Sequence, residues 1–149
     1  MAQNPPPGTP RCCPYLFYDD IDAAVRFLCD AFGFEKRLKV PGPDGRTMHA
    51  SVVLDGGVVM MGWAGSPDST FALGRADAGP LHASVYFYVD DVDAHYVKAK
   101  AAGAEVTTEP ATQFWGDRIY SVRDPEGQFW TFATHVEDIE PGDMTGVQA

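Results

Sequence analysis

The chain contains the same short pattern twice. Residues 17–23 read Phe-Tyr-Asp-Asp-Ile-Asp-Ala and residues 88–94 read Tyr-Val-Asp-Asp-Val-Asp-Ala, 71 positions later in a chain of 149 residues. Each copy lies between an apolar strand-like run and a helix-like run that is followed by a glycine, Gly33 or Gly103. A supersecondary unit that recurs at about half the chain length indicates duplication. Two such halves, paired about a pseudo-twofold axis, are expected to form a cleft between them.

The spacing of apolar residues predicts the order β-α-β-β-β in the first half. Asp19-Asp20 offers an N-cap for a helix over residues 21–32, and Gly33 is expected to end that helix. The apolar residues of the helix fall on one face at helical spacing. Asp55-Gly56-Gly57 is typical of a tight hairpin turn. Strands are predicted over residues 11–18, 34–40, 48–54 and 58–63.

The second half predicts the same order. A helix is expected over residues 92–102, with strands over 81–89, 105–109, 117–122 and 128–134. The fold class is therefore α+β, with two tandem β-α-β-β-β modules that form a curved mixed sheet around a cleft. We expect a flexible Pro-rich arm, a first module, a linker, a second module and an acidic tail over residues 1–10, 11–63, 64–80, 81–135 and 136–149.

Charge and cysteine content restrict the partners. The net charge is −10, which argues against nucleic acid and anionic membranes and is compatible with a cationic ligand. The N-terminus has neither the basic nor the apolar region of a secretory signal, and no apolar stretch approaches a membrane helix in length. Three cysteines, an odd number, favour reduced thiols. We therefore expect a cytoplasmic protein.

One stretch of the second half carries a family resemblance. Residues 115–130 read Trp-Gly-Asp-Arg-Ile-Tyr-Ser-Val-Arg-Asp-Pro-Glu-Gly-Gln-Phe-Trp. Together with the repeated helix start, this resembles the vicinal oxygen chelate superfamily, and most of all its glyoxalase and bleomycin-resistance-like members. The resemblance covers residues 11–135. It implies the fold more strongly than the reaction, because one fold carries many functions.

The resemblance also implies where a divalent metal would bind. Enzymes of this superfamily take metal ligands from the first and last strands of each module. Those positions fall here on Cys13, Ser84, Thr131 and either Met60 or Met61. None is a carboxylate or an imidazole, so a hard divalent cation would lack charge compensation. We therefore expect no metal, no cofactor and no catalytic residue at these positions.

Histidines offer an alternative set of ligands. His82 precedes Ser84 by two residues and therefore shares its face of the strand, His49 lies at the start of a strand and His135 at the end of one. They favour either a displaced metal site or separate histidines at the rim that bond to backbone. We expect His95, in the middle of the second helix, to face solvent. Asp117 and Arg118 are interpreted as an ion pair or as a site for a ligand carboxylate.

Strand alternation predicts an aromatic cleft. If Cys13 and Ser84 face it, so do the residues two and four positions later on each strand. Loop and strand aromatics complete a surface suited to flat or amphipathic ligands, unless these rings are core or a subunit interface. The predicted ligand-binding residues are Cys13, Tyr15, Phe17, Met60, Trp63, His82, Ser84, Tyr86, Tyr88, Trp115, Phe129 and Thr131.

Three functions remain open on the sequence. The first is metal-independent sequestration of a small aromatic or cationic molecule, an antibiotic-resistance role of the bleomycin-resistance kind. The second is a metal-dependent glyoxalase-like lyase or isomerase, or a dioxygenase, with relocated histidine ligands. The third is an interaction domain without a small ligand. Open sheet edges and aromatic surface favour a homodimer with clefts formed or completed between subunits.

Overall fold

A computed structural model describes residues 2–66, residue 74 and residues 82–144. The first module contains β1 (Tyr15–Tyr18), α1 (Ile21–Phe32), β2 (Glu35–Pro41), β3 (Thr47–Leu54) and β4 (Gly57–Trp63). The second contains β5 (Val85–Tyr88), α2 (Val92–Ala101), β6 (Glu105–Thr112), β7 (Asp117–Arg123) and β8 (Phe129–His135), and a short 3-10 helix (Pro141–Asp143) follows. The predicted order β-α-β-β-β therefore occurs twice.

Each module contributes one four-stranded mixed sheet, which confirms the α+β class. The strand orders are β1-β4-β3-β2 and β5-β8-β7-β6. In both sheets the first strand runs parallel to the last, and the remaining pairs are antiparallel. β1 and β5 begin later than predicted, at Tyr15 and Val85. Pro14 has no N–H to donate, which explains the late start of β1. Most of the predicted linker, and Leu81, lie outside the described residues.

The repeated aspartates begin both helices. The side chain of Asp20 accepts a hydrogen bond from the Ala23 backbone N–H at 3.0 Å, and Asp91 does the same for Ala94 at 3.0 Å. Gly33 ends α1 in the left-handed region, with a φ of 81°. The N-caps and the C-terminal glycine of α1 are thus confirmed, and the capping interactions explain the acidic pattern without any catalytic role.

Strand alternation gives each sheet two different faces. We call the face that packs against the helices the helix face and the opposite one the distal face. Tyr18 and Met61 on the first sheet, and Trp130 and Phe132 on the second, are buried on the helix faces. The predicted helix-facing positions on β1 and β5 and just after them all belong to or pack against this core: Leu16, Tyr18, Val85, Phe87 and Val89.

The two helix faces share one core. Phe32, at the end of α1, packs against Trp130 and Phe132 of the second sheet, with ring centroids 5.4 and 4.8 Å apart. Phe34 lies 5.3 Å from Phe87 on β5. A Cβ at Gly57 would lie 2.6 Å from the Phe87 ring, so only glycine permits this close approach. Because both sheets turn their helix faces to this core, both distal faces are directed away from it.

The turn between β7 and β8 joins the second module to the first. The buried carboxylate of Asp124 accepts hydrogen bonds from the Tyr18 hydroxyl at 2.6 Å and from the Trp130 indole at 3.2 Å. Glu126 accepts hydrogen bonds from the backbone N–H groups of Asp19 and Asp20. The Asp-Pro-Glu-Gly stretch that carries the family resemblance therefore has a structural function, because it docks on the repeated motif of the other module.

His95 does not face solvent, contrary to the expectation from sequence. The half-buried imidazole lies between the modules, with Nδ1 2.6 Å from the Tyr120 hydroxyl and Nε2 2.7 Å from the Phe32 carbonyl oxygen. Its ring lies 4.2 Å from that of Phe132. Polar and apolar residues are mixed around α2. Helical spacing alone therefore does not show that α1 covers the side of α2 that carries His95. Burial lowers the pKa of His95 below its ordinary value of 6.5.

The N-terminal arm contacts its own chain. The Arg37 guanidinium on β2 donates hydrogen bonds to the Pro7 carbonyl at 3.3 Å and to the Thr9 hydroxyl at 2.7 Å. The arm therefore lies beside β2, an edge strand of the first sheet. None of the described helices is long and apolar enough to cross a membrane.

We predict that Tyr18→Phe lowers the free energy of unfolding by about 1–3 kcal/mol, because it removes a hydrogen bond to the buried Asp124 carboxylate. Urea denaturation measures the change as a lower midpoint at an unchanged slope. Tyr96→Phe is the matched control, since the Tyr96 hydroxyl makes only exposed contacts, with Glu109 at 3.3 Å and with Lys100 at 3.2 Å. If the two substitutions lowered the free energy of unfolding equally, the bond between modules would contribute nothing to stability.

Candidate ligand-binding site

A buried carboxylate organises the distal face of the second sheet. Asp117, at the start of β7, is only 3 % exposed. Its Oδ2 accepts hydrogen bonds from the hydroxyls of Tyr86 at 2.7 Å and Tyr88 at 2.9 Å. Its Oδ1 lies 2.7 Å from Nδ1 of His135, the residue directly opposite on β8. Three neighbouring strands thus bring four polar side chains to one end of the sheet.

The rings of this group remain accessible. Tyr86 and Tyr88 are 44 % and 56 % exposed, and their rings meet edge to face with centroids 5.6 Å apart. The Trp115 indole N–H donates to the Tyr86 hydroxyl at 3.3 Å. We call Tyr86, Tyr88, Trp115, Asp117 and His135 the tyrosine–aspartate cluster. The cluster presents aromatic surface to solvent. The buried carboxylate of Asp117 holds the two tyrosine rings in place through their hydroxyls.

The protonation states of the cluster follow from its contacts. Burial by itself would raise the pKa of Asp117, but hydrogen bonds from His135 and the two tyrosines outweigh it and hold the pKa below its ordinary value. Burial and the bond to Asp117 raise the pKa of Tyr86 to about 12. The bonds to Asp117 and Asp138 raise the pKa of His135. Asp117 is therefore ionised and Tyr86 protonated near neutral pH.

The distal face of the first sheet has a different chemistry. The Tyr15 hydroxyl lies 2.9 Å from His49 Nδ1, and the Tyr15 ring packs 5.3 Å from Phe17. Met60 pairs with Tyr15 across the parallel strands, as Thr131 pairs with Tyr86 in the second sheet. The repeat spacing of 71 residues is thus preserved in three dimensions, but a thioether in one module corresponds to a hydroxyl in the other.

This difference leaves one hydroxyl without a partner. In the second sheet Ser121 and Thr131 lie opposite each other and their hydroxyl oxygens are 2.9 Å apart. In the first sheet Ser51 lies opposite Met60, and its buried hydroxyl makes no hydrogen bond to any described residue. The first distal face is therefore more apolar than the second.

The other predicted site residues lie apart from the cluster. Cys13 precedes β1, and its thiol is 3.5 Å from the Pro10 carbonyl. His82 and Ser84 are exposed and precede β5. Trp63 packs against the core on the helix face, and its indole donates to the Thr47 carbonyl at 2.8 Å. Phe129 is at the opposite end of β8 from His135, with the Arg123 guanidinium 5.5 Å from its ring centre.

Comparison with known proteins identifies the family of this chain. The family model described as the Glyoxalase/Bleomycin resistance protein/Dioxygenase superfamily matches residues 11–132. The chain belongs to this superfamily. An uncharacterized protein of Mycobacterium bovis is 33% identical over 145 residues, which cover 94% of this chain and 91% of that protein.

Solved structures of other proteins share this fold. TioX from Micromonospora sp. ML1 is 35% identical, with a TM-score of 0.66 over 82% of this chain and 95% of that chain. The fosfomycin resistance protein FosX from Listeria monocytogenes is 13% identical, with a TM-score of 0.60 over 85% of this chain and 93% of that chain, and shares the fold alone. Membership of the superfamily does not by itself choose between binding and catalysis.

The residues at the superfamily's metal positions do not fit a hard divalent cation. Met61 is buried on the helix face, so Met60 is the residue of β4 that shares a face with Tyr15. The Thr131 hydroxyl is already paired with Ser121. With Cys13 and Ser84 outside the strands, the set offers a thioether, a thiol and two hydroxyls, and no carboxylate or imidazole.

The three histidines considered as alternative metal ligands lie in separate surroundings. His49 pairs with Tyr15 on the first sheet, His135 lies between Asp117 and Asp138 on the second, and His82 is exposed. Within the described parts of the chain, no three His, Cys, Asp or Glu side chains are grouped so that they could hold a metal ion. The structure therefore gives no support to a metal step through these three residues.

Sequence reasoning missed the central role of Asp117. The proposed partner Arg118 instead forms a two-point ion pair with Asp93 on α2, at 2.9 Å for each bond. The available signal was strand alternation: Thr131, Ala133 and His135 share a face, and hairpin pairing places Asp117 beside His135. Only the three-dimensional structure brings the hydroxyls of Tyr86 and Tyr88 to the same oxygen.

We predict that NMR titration of the histidine rings gives His135 a pKa above 6.5, and His49 and His95 pKa values below it because of burial. Asp117→Asn should return His135 towards 6.5. A raised histidine pKa means that the pair stabilises the fold fully below the unfolded pKa and loses this contribution as pH rises through the folded value. The lowered pKa of Asp117 sets the acidic limit, since the contribution is lost again as pH falls through it. A His135 pKa at or below 6.5 would contradict the ion pair.

Proposed function

We propose that the protein binds and sequesters a small aromatic organic molecule without a metal ion, in the manner of a bleomycin-resistance protein. The observation that carries this proposal is the exposed, edge-to-face pair of Tyr86 and Tyr88, whose hydroxyls are fixed by buried Asp117. Rings held in place lose little conformational freedom on binding, so most of their stacking energy is available to a ligand.

The position of Trp115 supports the same function. Its indole bonds to Tyr86, and its ring meets Phe114 edge to face at 4.9 Å. Trp115 therefore forms one wall beside the two tyrosines, on a loop outside the core. A flat ligand that contacts Tyr88 and Trp115 together would bury aromatic surface on two sides. The donor set at the superfamily's metal positions favours binding over metal-dependent catalysis.

A second copy of the chain is proposed to complete the site. The two distal faces of one chain are directed away from the common core, and the exposed rings of Tyr86 and Tyr88 form a surface that a partner can cover. The acidic charge is unfavourable for nucleic acid, and we propose the cytoplasm as the compartment because the three cysteines are free.

We predict that Trp115→Ala weakens the binding of planar aromatic compounds by about 1–3 kcal/mol and leaves the melting temperature nearly unchanged. Calorimetry with acridine as the probe, with and without EDTA, measures both the affinity and its independence of metal. Trp63→Phe is the control, because Trp63 lies on the helix face and should not affect binding. A fall in melting temperature with EDTA that nickel, zinc or manganese restores would instead favour the metal-dependent enzyme.

We predict a dimer of about twice the chain mass of 16.2 kDa in light scattering at micromolar concentration. Tyr86→Ala distinguishes two uses of the same surface. If the ring contacts ligand, affinity falls and the dimer persists. If the ring is only a subunit contact, the mass falls towards the monomer and the proposed ligand site is wrong. A monomeric wild-type protein would exclude a site completed by a second chain.

A further inference from the structure

The polar hydrogens of the tyrosine–aspartate cluster are directed inwards. The single hydroxyl hydrogens of Tyr86 and Tyr88 are both donated to Asp117 Oδ2. The indole N–H of Trp115 is donated to the Tyr86 oxygen. Each of these side chains has only one polar hydrogen, so none remains for a ligand.

Both ring nitrogens of His135 also have partners. Its Nδ1 lies 2.7 Å from Asp117 Oδ1 and its Nε2 lies 2.8 Å from Asp138 Oδ1. A carboxylate only accepts hydrogen bonds, so both contacts are satisfied when the imidazole carries two N–H groups and a positive charge. With Asp117 and Asp138 ionised, these three residues together carry one net negative charge.

The cluster therefore presents hydrogen-bond acceptors, not donors, to a ligand. The Tyr88 oxygen donates to Asp117, and within the described part of the chain no donor is directed at it. Tyr88 is also the more exposed of the two tyrosines, at 56 %. A ligand that approaches this edge meets an acceptor, a π face and an excess negative charge. An incoming carboxylate or phosphate would find no hydrogen to accept.

The two arginines of β7 do not change this balance. Arg118 is bound to Asp93 on α2. Arg123 lies at the opposite end of β7 from Asp117, where it bonds to the Gly127 carbonyl at 3.3 Å. Asp117 and Arg123 are six positions apart on the strand, a distance of about 20 Å. The net charge of −10 for the chain adds a long-range attraction for positive ligands.

We propose that this cluster selects organic cations, namely protonated amines carried on a planar aromatic system, over neutral or anionic analogues of the same shape. An ammonium or amidinium N–H would donate to the Tyr88 oxygen while the ring stacks beside Tyr88 and Trp115. The inference rests on the proposed function, because it defines the ligand class of the same site.

Three acridines of matched shape test the proposal by calorimetry at neutral pH: 9-aminoacridine is a cation, acridine is neutral and acridine-9-carboxylate is an anion. We expect the cation to bind about tenfold more tightly than acridine and the anion to bind most weakly. Asp117→Asn should reduce the preference for the cation about tenfold and change acridine affinity little. Tyr88→Phe, which keeps the ring, should reduce the same preference and tests the acceptor if Asp117→Asn fails to fold.

Asp93→Asn is the matched control for charge, since it removes one carboxylate from the same module outside the cluster. It should leave all three affinities unchanged. Equal binding of the three acridines, or an unchanged preference in both cluster variants, would overturn the charge selection and leave aromatic sequestration standing. If none of the three binds, and Trp115→Ala therefore has nothing to weaken, the proposed function fails together with the inference.

Discussion

The carboxylate of Asp124 joins the two modules at the point where each depends on the other. It accepts a hydrogen bond from Tyr18 of the first module and from Trp130 of the second, and backbone N–H groups of its own turn satisfy its other oxygen. A buried carboxylate is costly without such partners. The bond from Tyr18 exists only when β1 lies beside the turn between β7 and β8. The helix faces also pack together around Phe32, so both distal faces are directed away from the core.

Duplication supplied two equivalent faces, and the second of them is the more polar. Tyr15 and Tyr86 occupy corresponding positions, but Tyr15 pairs with a histidine and Tyr86 with an aspartate. Met60 corresponds to Thr131, which leaves Ser51 without the partner that Ser121 has. Packing demands are met on the helix faces, so the distal faces were free to diverge. That separation of roles explains how one superfamily fold supports different ligands.

The proposed binding at the second distal face rests on fixed geometry rather than on a reactive group. One buried carboxylate orients two tyrosines, a histidine and, through Tyr86, a tryptophan. This network uses its own polar hydrogens internally, and the proposed preference for a donor ligand rests on this feature. Under the proposal, rigid aromatic rings above a negative charge would give both affinity and discrimination, since stacking accepts any flat ring whereas the lone pairs favour a cation.

The sequence by itself determined the fold, because the repeated Asp-Asp pattern and the period of apolar residues are local signals. It placed the N-caps within Asp19-Asp20 and Asp90-Asp91, where the structure has Asp20 and Asp91, and it gave the alternation that places Tyr86 and Tyr88 on one face. It did not show the burial of His95, which depends on α1 of the other module. Nor did it show that Asp117 binds Tyr86 and Tyr88, since residues about thirty positions apart meet only when β5 and β7 both lie beside β8. Local periodicity specifies faces, whereas the partners across a face are decided by tertiary packing.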